Sequence, residues 1–326
     1  MKRIKSKWII VSIIGILFAV SSLKEISAAE KVKMTVSSRK VKLVKRIHGK
    51  DVGGPQNFKN TFVINIDRER SVLYVGEAEG PIFRFDIRDN FKFLDVLADG
   101  VRIKYLLDIN LDRNGNIFVL DGRLNLIYVF DNQGTLKQTI KPRDSRAPGT
   151  QLGIVSLAFS SKGDMYVGDK GGNGIQVLDW EGNYLYQIKK AHLDQLDFGF
   201  PSISSIRVNS QDEIYLFDNL ISRIIKFNLK GKTLAVFGGR GDVAGKFMDA
   251  TDMTIDNKDR VYVIESMTGT VQVFDKDGNF LHILVDENGE RLILINPSRI
   301  VLDETGRLVF VMERFQGRVS IFQFVD

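Results

Sequence analysis

The residues of this chain most suited to chemistry are acids that return at a nearly fixed spacing. Glu77, Asp121, Asp169, Asp218, Glu265 and Glu313 each close a short apolar strand and follow one another at 44, 48, 49, 47 and 48 residues. Six such carboxylates suggest a ring of acids. Asp and Glu at strand ends commonly accept backbone N–H bonds in the following turn, however, so a structural role is the expectation. A second set is sharper. Asp108, Asp252 and Arg299 stand four places before a recurring turn residue, and Asn65, Asn110 and Arg207 stand two places before it. Two carboxylates with amide oxygens suit a hard cation such as calcium, which takes oxygen ligands. Arg299 shares a level with both aspartates and would neutralise them, so an internal ion-pair plug is the competing reading.

Other chemistries find no support. The chain has no cysteine, which excludes disulfides, thiolate metal sites, lipidation of an N-terminal Cys, covalent haem attachment and a cysteine nucleophile. Gly245-Lys246 is followed by Phe247 and has no glycine five places upstream, so it is not a phosphate loop. Arg240-Gly241-Asp242 spells an adhesion tripeptide but falls inside a Gly-rich connection and reads as a turn.

The elements that must position these residues are copies of one unit. The turn residues are Asp67, Asp112, Ser160, Asn209, Asp256 and Asp303, with apolar side chains one and three places before them and mostly polar or small ones two and four before. That is a strand with two unlike faces. A second strand ends on each acid, and a third centres on Phe85, Phe130, Leu178, Phe227, Phe274 or Phe322. Turns such as Asp131-Asn132-Gln133-Gly134 then lead to a fourth. Six units of four antiparallel strands predict an all-β six-bladed β-propeller. The last unit stops after Val319 to Phe324 without a fourth strand, while residues 41–48 read as a strand with no unit of their own. The spacing therefore predicts that this N-terminal strand pairs in the sixth blade and closes the ring.

The ends divide the charge unevenly. Lys2, Arg3, Lys5 and Lys7 precede an apolar run from Trp8 to Val20 and the small residues Ser27-Ala28-Ala29, the layout of a secretory signal over 1–29. An uncleaved N-terminal anchor is the alternative; in both cases the body lies outside the cytoplasm, secreted or in the cell envelope. Of the net +6, residues 1–29 carry +4 and residues 30–50 carry +7, leaving −5 on the rest. A basic linker over 30–40 on a mildly acidic body argues against a nucleic-acid groove and suits a solvated arm. The propeller is expected over 41–326, with no integral membrane domain once the signal is removed.

The repeat resembles the NHL family, whose pattern runs through an Ile-Ala-Val-Asp strand, an Ile-Tyr-Val-Ala-Asp strand and a Phe-Gly-x-x-Gly connection. The best match is Phe237-Gly238-Gly239-Arg240-Gly241 with Gly245 and Phe247, then Asp256 and Val261-Tyr262-Val263-Ile264-Glu265. The resemblance implies the propeller fold and little about function. Among NHL relatives the amidating lyases hold catalytic zinc with several histidines. This chain has only His48, His192 and His282, two on outer strands and one in a loop, which are not expected to converge.

Two connections are longer than the rest, Lys141 to Gly153 and Lys190 to Pro201, the second carrying His192, Phe198 and Phe200. Both join a fourth strand to the next first strand, which places them on one face, beside the channel mouth. Loops on a rigid scaffold are where recognition resides. The expected function is an extracytoplasmic binding or scaffold module for a protein, peptide or glycan, with Phe198, Phe200 and His192 on its rim. The alternative is a lactonase-like, metal-dependent hydrolase or lyase using Asp108 and Asp252. No cofactor is expected beyond calcium in the channel.

Overall fold

Alternating side chains bury both faces of the inner strands, and the computed structural model shows how six copies satisfy that demand. It describes residues 37–98, 100–142, 153–169, 174–189, 202–303 and 305–325. After the first strand, β1 (Ser38–Ile47), the first blade holds β2 (Thr61–Asp67), β3 (Val72–Glu77), β4 (Ile82–Asp86) and β5 (Lys92–Leu97). The second holds β6 (Leu106–Leu111), β7 (Ile117–Asp121), β8 (Leu126–Phe130) and β9 (Leu136–Ile140). The third is β10 (Ile154–Phe159), β11 (Met165–Asp169), β12 (Ile175–Leu178) and β13 (Tyr184–Ile188). The fourth is β14 (Ile203–Val208), β15 (Ile214–Asp218), β16 (Arg223–Phe227) and β17 (Thr233–Gly238). The fifth is β18 (Ala250–Ile255), β19 (Val261–Glu265), β20 (Thr270–Phe274) and β21 (Phe280–Val285). The sixth begins with β22 (Pro297–Leu302), β23 (Leu308–Glu313) and β24 (Arg318–Phe324). Within each blade the strands from β2 to β24 neighbour one another in chain order and pair antiparallel.

The missing strand of blade six is β1. Val41 to Ile47 pair antiparallel with Phe324 to Val319, as the spacing predicts. The strand starts at Ser38, however, three residues inside the segment read as a linker. Its first residues pair parallel with β21, Ser38 opposite Ile283 and Lys40 opposite Val285. One strand thus stitches blades five and six into a single eight-stranded sheet. The Arg39 guanidinium lies 4.1 Å from the centre of the Phe324 ring, fixing the changeover.

The core is divided into six apolar clusters, each shared by two neighbouring blades. One joins Ile64, Phe83 and Phe85 of the first blade to Phe310, Met312 and Ile321 of the sixth, so the ring is closed on itself. Each second strand contributes a fully buried aromatic at the same place: Tyr74, Phe118, Tyr166, Tyr215, Tyr262 and Phe310. Burial of an apolar side chain of this kind stabilises by roughly 1.5–3 kcal/mol, and this place in the repeat supplies it at every wedge.

All six inner strands carry a register shift near their start, between Thr61 and Val63, Leu106 and Asp108, Ile154 and Ser156, Ile203 and Ser205, Ala250 and Asp252, and Pro297 and Arg299. A bulge re-aims the side chain that follows it. Here that is the residue four places before each turn, the position of Asp108, Asp252 and Arg299.

Candidate functional site in the central channel

The inner strands end around a cavity of about 320 Å³ lined by Asn65, Asp108, Asn110, Arg207 and Arg299. Five of the six channel residues singled out from sequence therefore meet. The sixth, Asp252, is 1% exposed and sits sealed behind the wall. Its Oδ1 accepts from Arg207 Nη2 at 3.0 Å and its Oδ2 from the Ile300 N–H at 3.2 Å. The plug exists, but Arg207 makes it and Arg299 does not. Arg299 instead lies across the floor, where its guanidinium donates two long hydrogen bonds, to the Ser298 and Leu107 carbonyls at 3.5 and 3.4 Å. It also stands 5.6 Å from the Phe62 ring centre. Among the described residues it makes no ion pair.

Asp108 is buried, and its Oδ2 accepts from the Ser156 hydroxyl at 3.2 Å. That hydroxyl in turn accepts from the Ile206 N–H, so three blades are linked through one oxygen. Burial pushes the Asp108 carboxyl above the usual range and nearby Asp252 adds to this, against the pull of Arg207 and Arg299. Asn65 is satisfied, donating to the Ile109 carbonyl and accepting from the Ile66 N–H. The Asn110 amide nitrogen is buried beside Asp108, and its weak hydrogen bond favours the carboxylate anion. Among the described residues no group of three His, Asp or Glu side chains is placed to hold a metal ion. The donors outnumber the free acceptors on this floor.

The cavity opens where the inner strands end, beside Arg68, Glu69 and Arg70. Arg68, which sequence reasoning missed, reaches from blade one to the Ile255 carbonyl of blade five at 3.2 Å and so spans this mouth. The two long connections begin and end at the opposite face, by the starts of β10 and β14. The described ends of both connections stand at the end of the channel away from the turn residues, and residues 143–152 and 190–201 of them lie outside the described residues. His192, Phe198 and Phe200 lie outside the described residues.

The six strand-end acids are clamps. Each accepts from a backbone N–H of the segment entering its own blade: Glu77 from Lys59, Asp121 from Lys104, Asp169 from Gly153, Asp218 from Ser202, Glu265 from Met248 and Glu313 from Ile295. Asp121 and Asp218 also hold the following turn, accepting from Leu124 and Leu220 among others. The structural role holds, and its main partner precedes the strand pair rather than following it.

His48 contacts Asp51 at 3.2 Å near the end of β1, and His282 is half-buried on β21, so the two serve separate places. The face opposite the cavity carries a feature the sequence did not flag. Ile293, Phe315, Leu220 and Met267 are 78%, 75%, 74% and 71% exposed, the highest values for large apolar side chains among the described residues. All four lie on that face. Leu220, Met267 and Phe315 each stand two places after a clamp acid in consecutive blades, a recurrence that alignment of the repeats would have revealed.

Comparison with known proteins agrees with this architecture. Residues 195–325 match the family described as DUF5128: 6-bladed beta-propeller. The chain is 28% identical over 126 residues to Protein brain tumor of Drosophila melanogaster, which covers 39% of this chain and 12% of that protein. It is 24% identical over 301 residues to NHL repeat-containing protein 3 of Homo sapiens, covering 88% of this chain and 72% of that one. Among solved structures, a catalytically inactive virginiamycin B lyase from Staphylococcus aureus with quinupristin matches with a TM-score of 0.61 at 12% identity, over 88% of this chain and all of that one. At such identity the likeness shows the fold alone. The chain is a six-bladed propeller, and its likeness to these two proteins supports repeats of the NHL type.

Proposed function

We propose that this propeller is a recognition module that takes a protein or peptide partner on the face opposite its cavity. The observation that carries the reading is the gathering of Ile293, Phe315, Leu220 and Met267 there, while the most exposed large apolar side chain in the turns of the other face is Trp180, at 62%. Apolar side chains on separate turns of a rigid disc act as anchors with little ordering cost. His192, Phe198 and Phe200, in the connection between β13 and β14, are the further rim residues that the sequence suggests. A glycan is the weaker occupant, since the described tips are aliphatic apart from Phe315. The charged and apolar pattern of residues 1–29 supports export, so the partner is sought in the envelope or outside the cell.

The hydrolase or lyase alternative would need Asp108 and Asp252 together. Asp252 is already held by Arg207 and Ile300, which favours binding over catalysis. The test is capture from the native envelope fraction with wild type, with the triple variant Leu220→Ser, Met267→Ser, Phe315→Ser, and with Trp180→Ser. A partner retained by Trp180→Ser and lost by the triple variant supports the reading. The same partner set on all three baits overturns it.

A further inference from the structure

The cavity on the other face presents a chemistry that the rim does not use. Its floor is rich in donors. Arg299 has a guanidinium with no carboxylate partner among the described residues, engaged only by two carbonyls at the long end of hydrogen-bond range. Asn110 also lines the cavity, with its amide nitrogen turned away beside the Asp108 carboxylate. Arg207 is already committed to Asp252, so it holds the wall and leaves Arg299 as the open fork. A guanidinium fork matches a carboxylate in two parallel hydrogen bonds.

The acceptors on the same floor are few. Asp108 offers one carboxylate, of which Oδ2 takes the Ser156 hydroxyl and Oδ1 the Ile109 N–H. Its remaining lone pairs suit a hydroxyl donor from a ligand. Its raised protonation range also lessens repulsion toward an incoming anion. Of the other carboxylates lining the cavity, Asp67 is held by Arg70 and Asp112 by Asn116, so Asp108 among its arginines is a poor site for calcium, which takes six to eight oxygens. The volume of about 320 Å³ sits at the small end of ligand pockets and suits a single sugar or an organic acid of that size.

We propose that the central cavity binds a small polyhydroxylated acid of the hexuronate type, its carboxylate held by Arg299 and its hydroxyls by Asn110 and Asp108. This site lies across the disc from the partner face and is independent of it.

The experiment is isothermal titration of the full chain with glucuronate, glucose, inorganic phosphate and calcium chloride in turn. Glucuronate is expected to bind, with glucose and phosphate each weaker by at least about tenfold, since each lacks one half of the recognition. Arg299→Gln should weaken glucuronate by roughly ten- to hundredfold, the worth of charge-assisted hydrogen bonds. Asn110→Asp, which keeps the shape and adds a repelling charge, should weaken it as well and guards against an Arg299 variant that fails to fold. The tip variant Leu220→Ser, Met267→Ser, Phe315→Ser should bind glucuronate as wild type does, so loss of the partner and loss of the acid are separable results. No glucuronate heat, equal affinity for glucose, equal affinity for phosphate, or calcium binding abolished by Asp108→Asn would each overturn the proposal. So would Asn110→Asp and Arg299→Gln proteins that bind as wild type does.

Discussion

Val41, near the first of the described residues, lies directly opposite Phe324, near the last. That pair is where the ring closes, and both side chains are buried in the cluster between blades five and six. The pairing runs on to Ile47, which is buried in the neighbouring cluster between blades six and one. A single strand therefore contributes to two of the six wedges.

Deleting residues 38–47 should consequently cost several kcal/mol out of the roughly 5–15 kcal/mol that stabilises a whole domain. It removes two fully buried side chains and leaves the edges of β24 and β21 unpaired. Urea unfolding is the check. Deletion of residues 1–36 should leave the midpoint where it is, and an unchanged midpoint for the 38–47 deletion would show that the ring closes without this strand.

Glu313 is the most heavily used clamp. It is fully buried, accepts from Ile295 N–H at 2.8 Å, and receives Arg318 Nε and Nη2 at 2.9 and 2.7 Å as well as the Ser320 hydroxyl. Burial pushes its carboxyl up, but these hydrogen bonds and the Arg318 charge outweigh that and hold it below its ordinary value. Glu313→Ala should destabilise by about 3–5 kcal/mol, because it strands a mostly buried arginine. Adding Arg318→Met to that variant should recover a good part of the loss. Thermal melts of the single and double variants decide it, and a double variant no more stable than Glu313→Ala would show that the charge is not the issue.

His282 makes the fold sensitive to acid. Burial, then the charges of Arg39 and Arg260, push its imidazole down from 6.5 to about 4, and its Nε2 is buried without a partner. Between those two pH values the unfolded chain binds a proton that the folded chain refuses, so stability is complete above about pH 6.5 and falls as pH drops toward 4. The shift sets a ceiling near 3 kcal/mol, and the half-buried position brings the expected loss to about 1–2 kcal/mol. Arg39 lies on β1, so the acid-weakened region is the seam between blades five and six. Melting temperatures of wild type and His282→Gln across pH 4–7 test this. The wild type should lose stability with a steeper slope, and parallel curves would remove His282 from the account.

The number of blades was legible because it depends only on recurrence. Acids returning about every 48 residues must occupy equivalent places, and a chain that lacks a final strand but has a spare one at its start has few ways to hide both edges. The structural duty of the acids was legible for a similar reason, since a carboxylate at a strand end finds N–H groups within a few residues. Period two also placed Asp108, Arg207 and Arg299 toward the channel.

Which of these charges would pair was not written in that pattern. Alternation tells which face of a strand a residue occupies. It does not tell which neighbour across the ring its side chain meets, and the bulge before Asp252 turns it toward Arg207 and the Ile300 amide rather than toward Arg299. The parallel pairing of Ser38 to Lys40 with β21 likewise depends on blade five lying beside blade six, a contact between segments some 245 residues apart. The division of the disc into a face of apolar tips and a face with a charged cavity needed the closed ring as well, because only closure brings turns from different blades to one side. Local periodicity is decided by the backbone of each strand, whereas the occupants of the channel are decided by distances between blades, and those exist only once the chain has folded.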